Sequence, residues 1–193
     1  MSRAARLALV LYGAAACVYL LDRSTKLLAE NYLAGRAPIR LVPHVLDLTY
    51  TTNSGGAFGL FRGQPWLFFA ASLVVCVAIV VASRHLASLP VALGLGLILG
   101  GAVGNLTDRV IHGSGATGRV VDFIYLHAWP VFNAADSAIV IGTFVVVIAS
   151  LWRPEPERAA HREANGNPSN RATAPSSSPS PVGPEAPETG TGA

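Results

Sequence analysis

Four long stretches of this chain carry almost no charge. Fifteen uncharged residues separate Arg6 from Asp22, and 21 separate Arg62 from Arg84. Another 22 run from Leu86 to Thr107, and the 30 from Phe123 to Trp152 include one formal charge, Asp136. A helix needs about 20 predominantly apolar residues to cross the hydrocarbon core of a bilayer. The pattern therefore predicts four transmembrane helices, at about 5–23, 66–83, 88–107 and 134–152. A soluble helical bundle would need polar outer faces. Val74–Val81 and Ile139–Ile148 offer no charged side chain at all.

Charged residues make up 13% of the chain, and 14 Lys and Arg nearly balance 11 Asp and Glu. That balance excludes a strongly basic nucleic-acid binder. Arg3 and Arg6 precede an apolar run, as in a secretory signal. A cut after Ala16 would fall inside that run, and three more spans follow, so a retained first helix is expected. Cys17 and Cys76 both lie in spans and read as small buried hydrophobes, with no metal or disulfide spacing.

From Arg153 the composition changes. The last 41 residues hold 8 of the 13 prolines and few bulky apolar residues. Such a segment cannot bury enough surface to offset its ordering entropy, and 154–193 is expected to be a disordered tail following a four-span domain, 1–153. Four spans put both termini on one side. Seven Lys and Arg fall on each side, but Arg23, Lys26 and Arg109 sit in polar clusters. Setting those three aside leaves seven against four, which predicts cytoplasmic termini.

Ionisable residues at membrane depth are costly and point to function. Here they gather on the side opposite the termini. Asp22 ends the first span, Asp108 ends the third, Asp136 opens the fourth, and Asp122 lies just before it. Asp22 and Lys26 are one helical turn apart, as in a surface ion pair or a functional cluster. Gly101, Gly104, Asn105 and Asp108 share one helical stripe. Gly96, Gly100 and Gly104 form a GxxxGxxxG packing pattern. Packing leaves Asn105, Asp108 and Arg109 unexplained; an arginine there would hold a carboxylate ionised and in place. Asn133 and Asp136 open the fourth helix, where Asn favours the cap and Asp the positive end. Val120–Tyr125 is β-branched and aromatic, so a short strand is expected to bring Asp122 to the top of that helix.

Two carboxylates held close together share a proton, which provides a general base and a general acid. Asp122 and Asp136 are the candidate catalytic pair. The chain has no HExxH, GxSxG or P-loop motif. A Ser–Lys dyad of Ser24 or Ser137 with Lys26 is a weaker option. His112 and His127 match no zinc or calcium spacing, so no metal or other cofactor is expected.

These blocks together resemble bacterial lipoprotein signal peptidase (signal peptidase II), an aspartic membrane peptidase family. The resemblance rests on Asp22-Arg23-Ser24-Thr25-Lys26, Asn53-Ser54-Gly55-Gly56-Ala57-Phe58, Gly100–Arg109 with Val120-Val121-Asp122-Phe123, and Phe132-Asn133-Ala134-Ala135-Asp136-Ser137. It covers roughly residues 5–152. The resemblance implies an all-α membrane protein with a small β-rich extracytoplasmic cradle formed within the long loop 27–65. It implies a catalytic role for Asp122 and Asp136. It also implies substrate binding by Asn53, Gly55, Gly101, Asn105, Arg109 and Asn133, and structural support from Asp22, Lys26 and Asp108. The substrate implied is a prolipoprotein whose cysteine carries diacylglycerol, cut just before that cysteine at the plasma membrane. Lipids and that substrate are the expected partners of a monomeric enzyme. The connection 112–119 is longer than the family's usual one. The competing classes are a four-span proton or cation channel and a membrane scaffold. A channel would place carboxylates at several depths, whereas these sit at one edge.

Overall fold

The structure is a computed structural model that describes residues 1–55, 64–113 and 117–152. The expected tail at 154–193, Gly56-Ala57-Phe58 of the second motif and 114–116 of the glycine-rich connection lie outside the described residues. Four described helices are long and apolar enough to cross a membrane: α1 (Arg3–Leu33), α2 (Pro65–Ala82, continued by a 3-10 turn to His85), α3 (Leu89–Ile111) and α4 (Ala134–Leu151). Among the described residues between them lie three strands, β1 (Ile39–Val42), β2 (Leu46–Asn53) and β3 (Val120–Leu126). The expected class, four spans with a small sheet, is the one observed.

The first helix is longer than its sequence suggested. The span was expected to stop near residue 23, with a loop from 27. Instead α1 runs unbroken through 31 residues, about 46 Å at 1.5 Å per residue. Its buried residues, Leu7, Leu11, Ala15, Asp22, Lys26, Ala29 and Leu33, are spaced three, four or seven apart, so one stripe continues through the charged segment. The charges do not end the helix because Asp22 and Lys26 are on that inward stripe and pair there. The stop comes at Ala34, followed by Gly35 in the left-handed region at φ 69°.

Helix α3 is the centre of the bundle, and glycines let its neighbours approach. A Cβ at Gly96 or Gly100 would meet the backbone of α1 at Leu11 or Ala15. On another face, a Cβ at Gly101 would meet the Ala135 carbonyl of α4, and Gly94 and Gly142 face each other. Leu7, Leu11, Cys76, Ile79, Ala92 and Leu99 close the apolar core between α1, α2 and α3. The outer faces are apolar as well: Val74, Val77 and Val81 of α2 and Ile141, Phe144 and Ile148 of α4 are exposed. In water such faces would be a liability, whereas in lipid they are in their own solvent.

The strands form one antiparallel sheet in the order β1-β2-β3. Phe123 packs with Ala29 and Leu33 of the α1 overhang, joined by Leu48, Tyr50 and Ile124. Successive side chains of a strand point to opposite faces. With Phe123 turned to α1, its neighbour Asp122 turns the other way, toward the first turn of α4.

Candidate active site

Asn133 sets the geometry at the start of α4. Its Oδ1 accepts the Asp136 N–H at 2.9 Å, and Asp136 Oδ2 accepts the Asn133 N–H at 3.3 Å, a reciprocal capping box. With Oδ1 occupied, the amide nitrogen points away from the helix. It donates to Asp122 Oδ1 at 2.7 Å, to the Val121 carbonyl at 3.2 Å and to Asn105 Oδ1 at 3.3 Å. One buried asparagine therefore touches both candidate carboxylates.

Asn105 of α3 supports Asp136 from the other side. Its Oδ1 accepts from the Lys26 ammonium at 3.0 Å, and its Nδ2 donates to Asp136 Oδ1 at 2.9 Å. An ammonium has only donors, so the oxygen of Asn105 must face Lys26 and its nitrogen must face Asp136. The same logic orients Asn53 at the end of β2. Its Oδ1 accepts the Gly55 N–H at 2.8 Å, which turns its amide nitrogen to Asp122. Gly55 has φ 111°, and a Cβ there would strike the Phe68 ring.

Asp122 is 2% exposed. Burial and the nearby Asp136 charge push its carboxyl up to about 7, against the opposing pull of the Asn133 and Asn53 amides and of Lys26. A carboxyl poised there exchanges its proton readily near neutral pH. Asp136 lies beside it with both oxygens accepting N–H bonds. The pair can take up one proton and release another on the same face of the protein.

Asp22, Lys26 and Asp108 form a separate buried layer beneath the pair, all at 0% exposure. Lys26 Nζ is 2.8 Å from Asp22 Oδ2 and 2.8 Å from Asp108 Oδ2. Arg23 pairs with the other oxygen of Asp108. Gly104 belongs to this layer rather than to the helix-packing row, because a Cβ there would occupy the place of the Asp22 carboxylate.

Two positions are defined by their neighbours. Gly101 is buried with its face against the α4 backbone, and so sets the spacing of α3 and α4. Arg109 lies near both candidate carboxylates, while Asp108 is held by Arg23 and Lys26. Arg109 donates to the Gly118 carbonyl at 3.3 Å, lies over the Phe68 ring at 5.7 Å and acts on Asp122 and Asp136 through its charge. Phe68 and Gly118 were not singled out in the sequence. Gly118 had a signal in the glycine-rich run, since a Cβ there would meet the Arg109 backbone. Phe68 had none, being one aromatic among many apolar residues of α2.

His112 faces Glu30 at 3.3 Å, and His127 pairs with Asp47 at 2.9 Å. Each histidine thus has a carboxylate partner other than Asp122 and Asp136. Beside Asp136 an apolar groove of about 350 Å³ is lined by Leu126, Trp129, Phe132, Ser137, Val140 and Ile141. Its α4 wall continues into the apolar outer surface of the bundle.

Known proteins resemble this chain over most of its length. Residues 14–152 match the family profile described as Signal peptidase (SPase) II. A lipoprotein signal peptidase of Streptomyces coelicolor is 40% identical over 163 residues, covering 84% of this chain and 80% of its own. One from Syntrophomonas wolfei is 45% identical over 141 residues, covering 72% and 91%. One from Mycobacterium tuberculosis is 38% identical over 158 residues, covering 81% and 78%. A solved structure described as a bacterial membrane enzyme superposes with a TM-score of 0.64 at 29% identity, covering 80% of this chain and 90% of its own. With the profile match over 14–152 and relatives at 38–45% identity, the chain belongs to the signal peptidase II family.

Proposed function

We propose that this protein is an aspartic endopeptidase that removes the signal peptide from diacylglyceryl-modified prolipoproteins, cutting just before the lipidated cysteine. The observation that carries the reading is the pairing of the Asp122 and Asp136 carboxylates through Asn133. Asp136 acts as general base and takes a proton from water as the water oxygen attacks the scissile carbonyl carbon. Asp122 acts as general acid and gives its proton to the cysteine nitrogen as the C–N bond breaks. Asp136 then holds a proton and Asp122 is ionised, and exchange with solvent resets the pair. Asn53 and Arg109, beside the pair, bind the substrate backbone. The diacylglyceryl group holds the scissile bond at the membrane surface, and the apolar groove beside Asp136 lets an apolar substrate approach from the lipid.

The protein acts as a monomer in the plasma membrane, with both termini in the cytoplasm and the pair at the extracytoplasmic edge. Arg3, Arg6 and Arg84 support this orientation, since the described residues at that end of the bundle include no acid. The test is incubation of the purified protein with a diacylated lipobox peptide and its unlipidated twin. Cleavage before the cysteine in the lipidated peptide is expected. No cleavage of either by a folded sample would overturn the reading.

A further inference from the structure

The buried Lys26 ammonium has three partners, one amide oxygen that accepts its hydrogen bond and two carboxylates that pair with its charge, and each is tied to a different part of the candidate pair. Asn105 Oδ1, at 3.0 Å, belongs to the amide whose nitrogen holds Asp136. Asp108 Oδ2, at 2.8 Å, also accepts the N–H of Val121, the residue before Asp122, at 3.1 Å. Asp22 Oδ2, at 2.8 Å, belongs to the carboxylate whose other oxygen accepts the N–H of Ala135, the residue before Asp136, at 3.0 Å. The three routes pass through α3, β3 and α4, and they meet at one nitrogen on α1.

A buried ammonium must satisfy three N–H donors in any role; what sets Lys26 apart is that each of its partners is tied onward to Asp136 or to the residue before Asp122 or Asp136. A buried lysine that cost so much desolvation merely to join α1 to α3 would be a poor bargain, because well-packed apolar residues do that at least as well. What apolar residues cannot do is orient an amide or fix a carboxylate that in turn receives a named backbone N–H. We propose that Lys26 is a positioning residue for catalysis: its ammonium sets the separation and orientation of Asp122 and Asp136 through Asn105, Asp108 and Asp22. This inference rests on the proposed pair. It goes further by assigning to a residue that touches no substrate the control of how the pair shares its proton.

The charges around Asp122 fix the sign of the effect. Asp136 faces it from α4 and raises its pKa, while Arg109 of α3 and Lys26 of α1 favour its ionised form; Asp108 lies behind Lys26. Removing the Lys26 charge lets the Asp122 carboxyl rise further. Activity needs Asp122 protonated and is lost as pH rises through its pKa, so the alkaline limb moves to higher pH.

The experiment compares purified wild type with Lys26→Met and Asp22→Asn on a diacylated lipobox peptide, with Asp122→Asn as the inactive control. Thermal unfolding of each sample is followed in parallel. The proposal expects Lys26→Met, counted per folded molecule, to lose about 100-fold or more in kcat with KM within about threefold, and its alkaline limb to move up. Asp22→Asn severs the Ala135 route alone and keeps its shape. It should lose about tenfold in kcat, again at unchanged KM. If Lys26→Met does not fold, Asp22→Asn decides alone. Wild-type kcat and pH profile in the folded variants, with only a lowered unfolding temperature, would overturn the positioning role and leave a structural one. A wild type that cleaves nothing, or an Asp122→Asn variant that still cleaves, would instead count against the proposed pair.

Discussion

Asn133 donates to Asp122 at 2.7 Å while serving as the N-cap of the helix that carries Asp136. One side chain therefore couples the start of a membrane helix to a strand outside it. Asn133→Ala should cost both stability and turnover. Loss of a cap alone costs about 1 kcal/mol. Releasing Asp122 from its amide donor should lower kcat by a further 10- to 100-fold, a range typical of misplaced catalytic groups. Thermal unfolding and peptide cleavage measured on one sample check the two effects separately.

Asp122→Asn and Asp136→Asn are each expected to lower cleavage by at least about 10³-fold, within the range of general acid–base contributions. Asn keeps the shape of Asp; in Asp136→Asn one of the two N–H bonds that Asp136 accepts is lost, so cleavage is counted per folded molecule. Near-normal single-turnover cleavage by either variant would remove that residue from the chemistry.

Activity should follow a bell-shaped pH profile. The alkaline limb is the loss of the proton that the Asp122–Asp136 pair shares; with the Asp122 carboxyl pushed up to about 7, cleavage should fall as pH rises past that region. The limbs describe the coupled pair rather than either residue alone. A profile flat from pH 6 to 9 would rule out Asp122 as the acid.

Strong chelators should leave cleavage intact. Zinc would normally recruit His or Cys, and the two nearby histidines are engaged elsewhere, His112 with Glu30 and His127 with Asp47. Loss of cleavage in chelator, restored by one divalent metal, would replace the proton-sharing mechanism.

The sequence made the spans visible because lipid imposes a length and a composition that no packing detail can hide. It also grouped Asp22, Asp108, Asp122 and Asp136 at one edge, because charges in apolar runs are conspicuous. Its limits were those of a one-dimensional pattern. The charges at Asp22 and Lys26 looked like a helix end, since burial of an ion pair depends on Asp108, some 80 residues away. Gly101 looked like part of a polar stripe because helical spacing gives a face but not the neighbour across it. Gly104, assigned to packing with Gly96 and Gly100, turned out to leave room for a carboxylate. In each case the missing information was the identity of a distant partner.

That distinction among the glycines can be tested. A Cβ at Gly100 would press on the α1 backbone at Ala15 and on Val18, whereas a Cβ at Gly104 would press on the Asp22 carboxylate. Gly100→Ala is an overpacking change and should destabilise by about 1–3 kcal/mol while the folded fraction keeps its kcat. Gly104→Ala displaces Asp22 from Lys26 and from the Ala135 N–H. A buried charge that loses its partner is worth about 3–5 kcal/mol of stability, and this variant should lose kcat per folded molecule as well. Unfolding curves paired with single-turnover cleavage separate the two. Equal stability loss with unchanged kcat in both variants would put Gly104 back in the packing row and detach the Asp22–Lys26 layer from the chemistry above it.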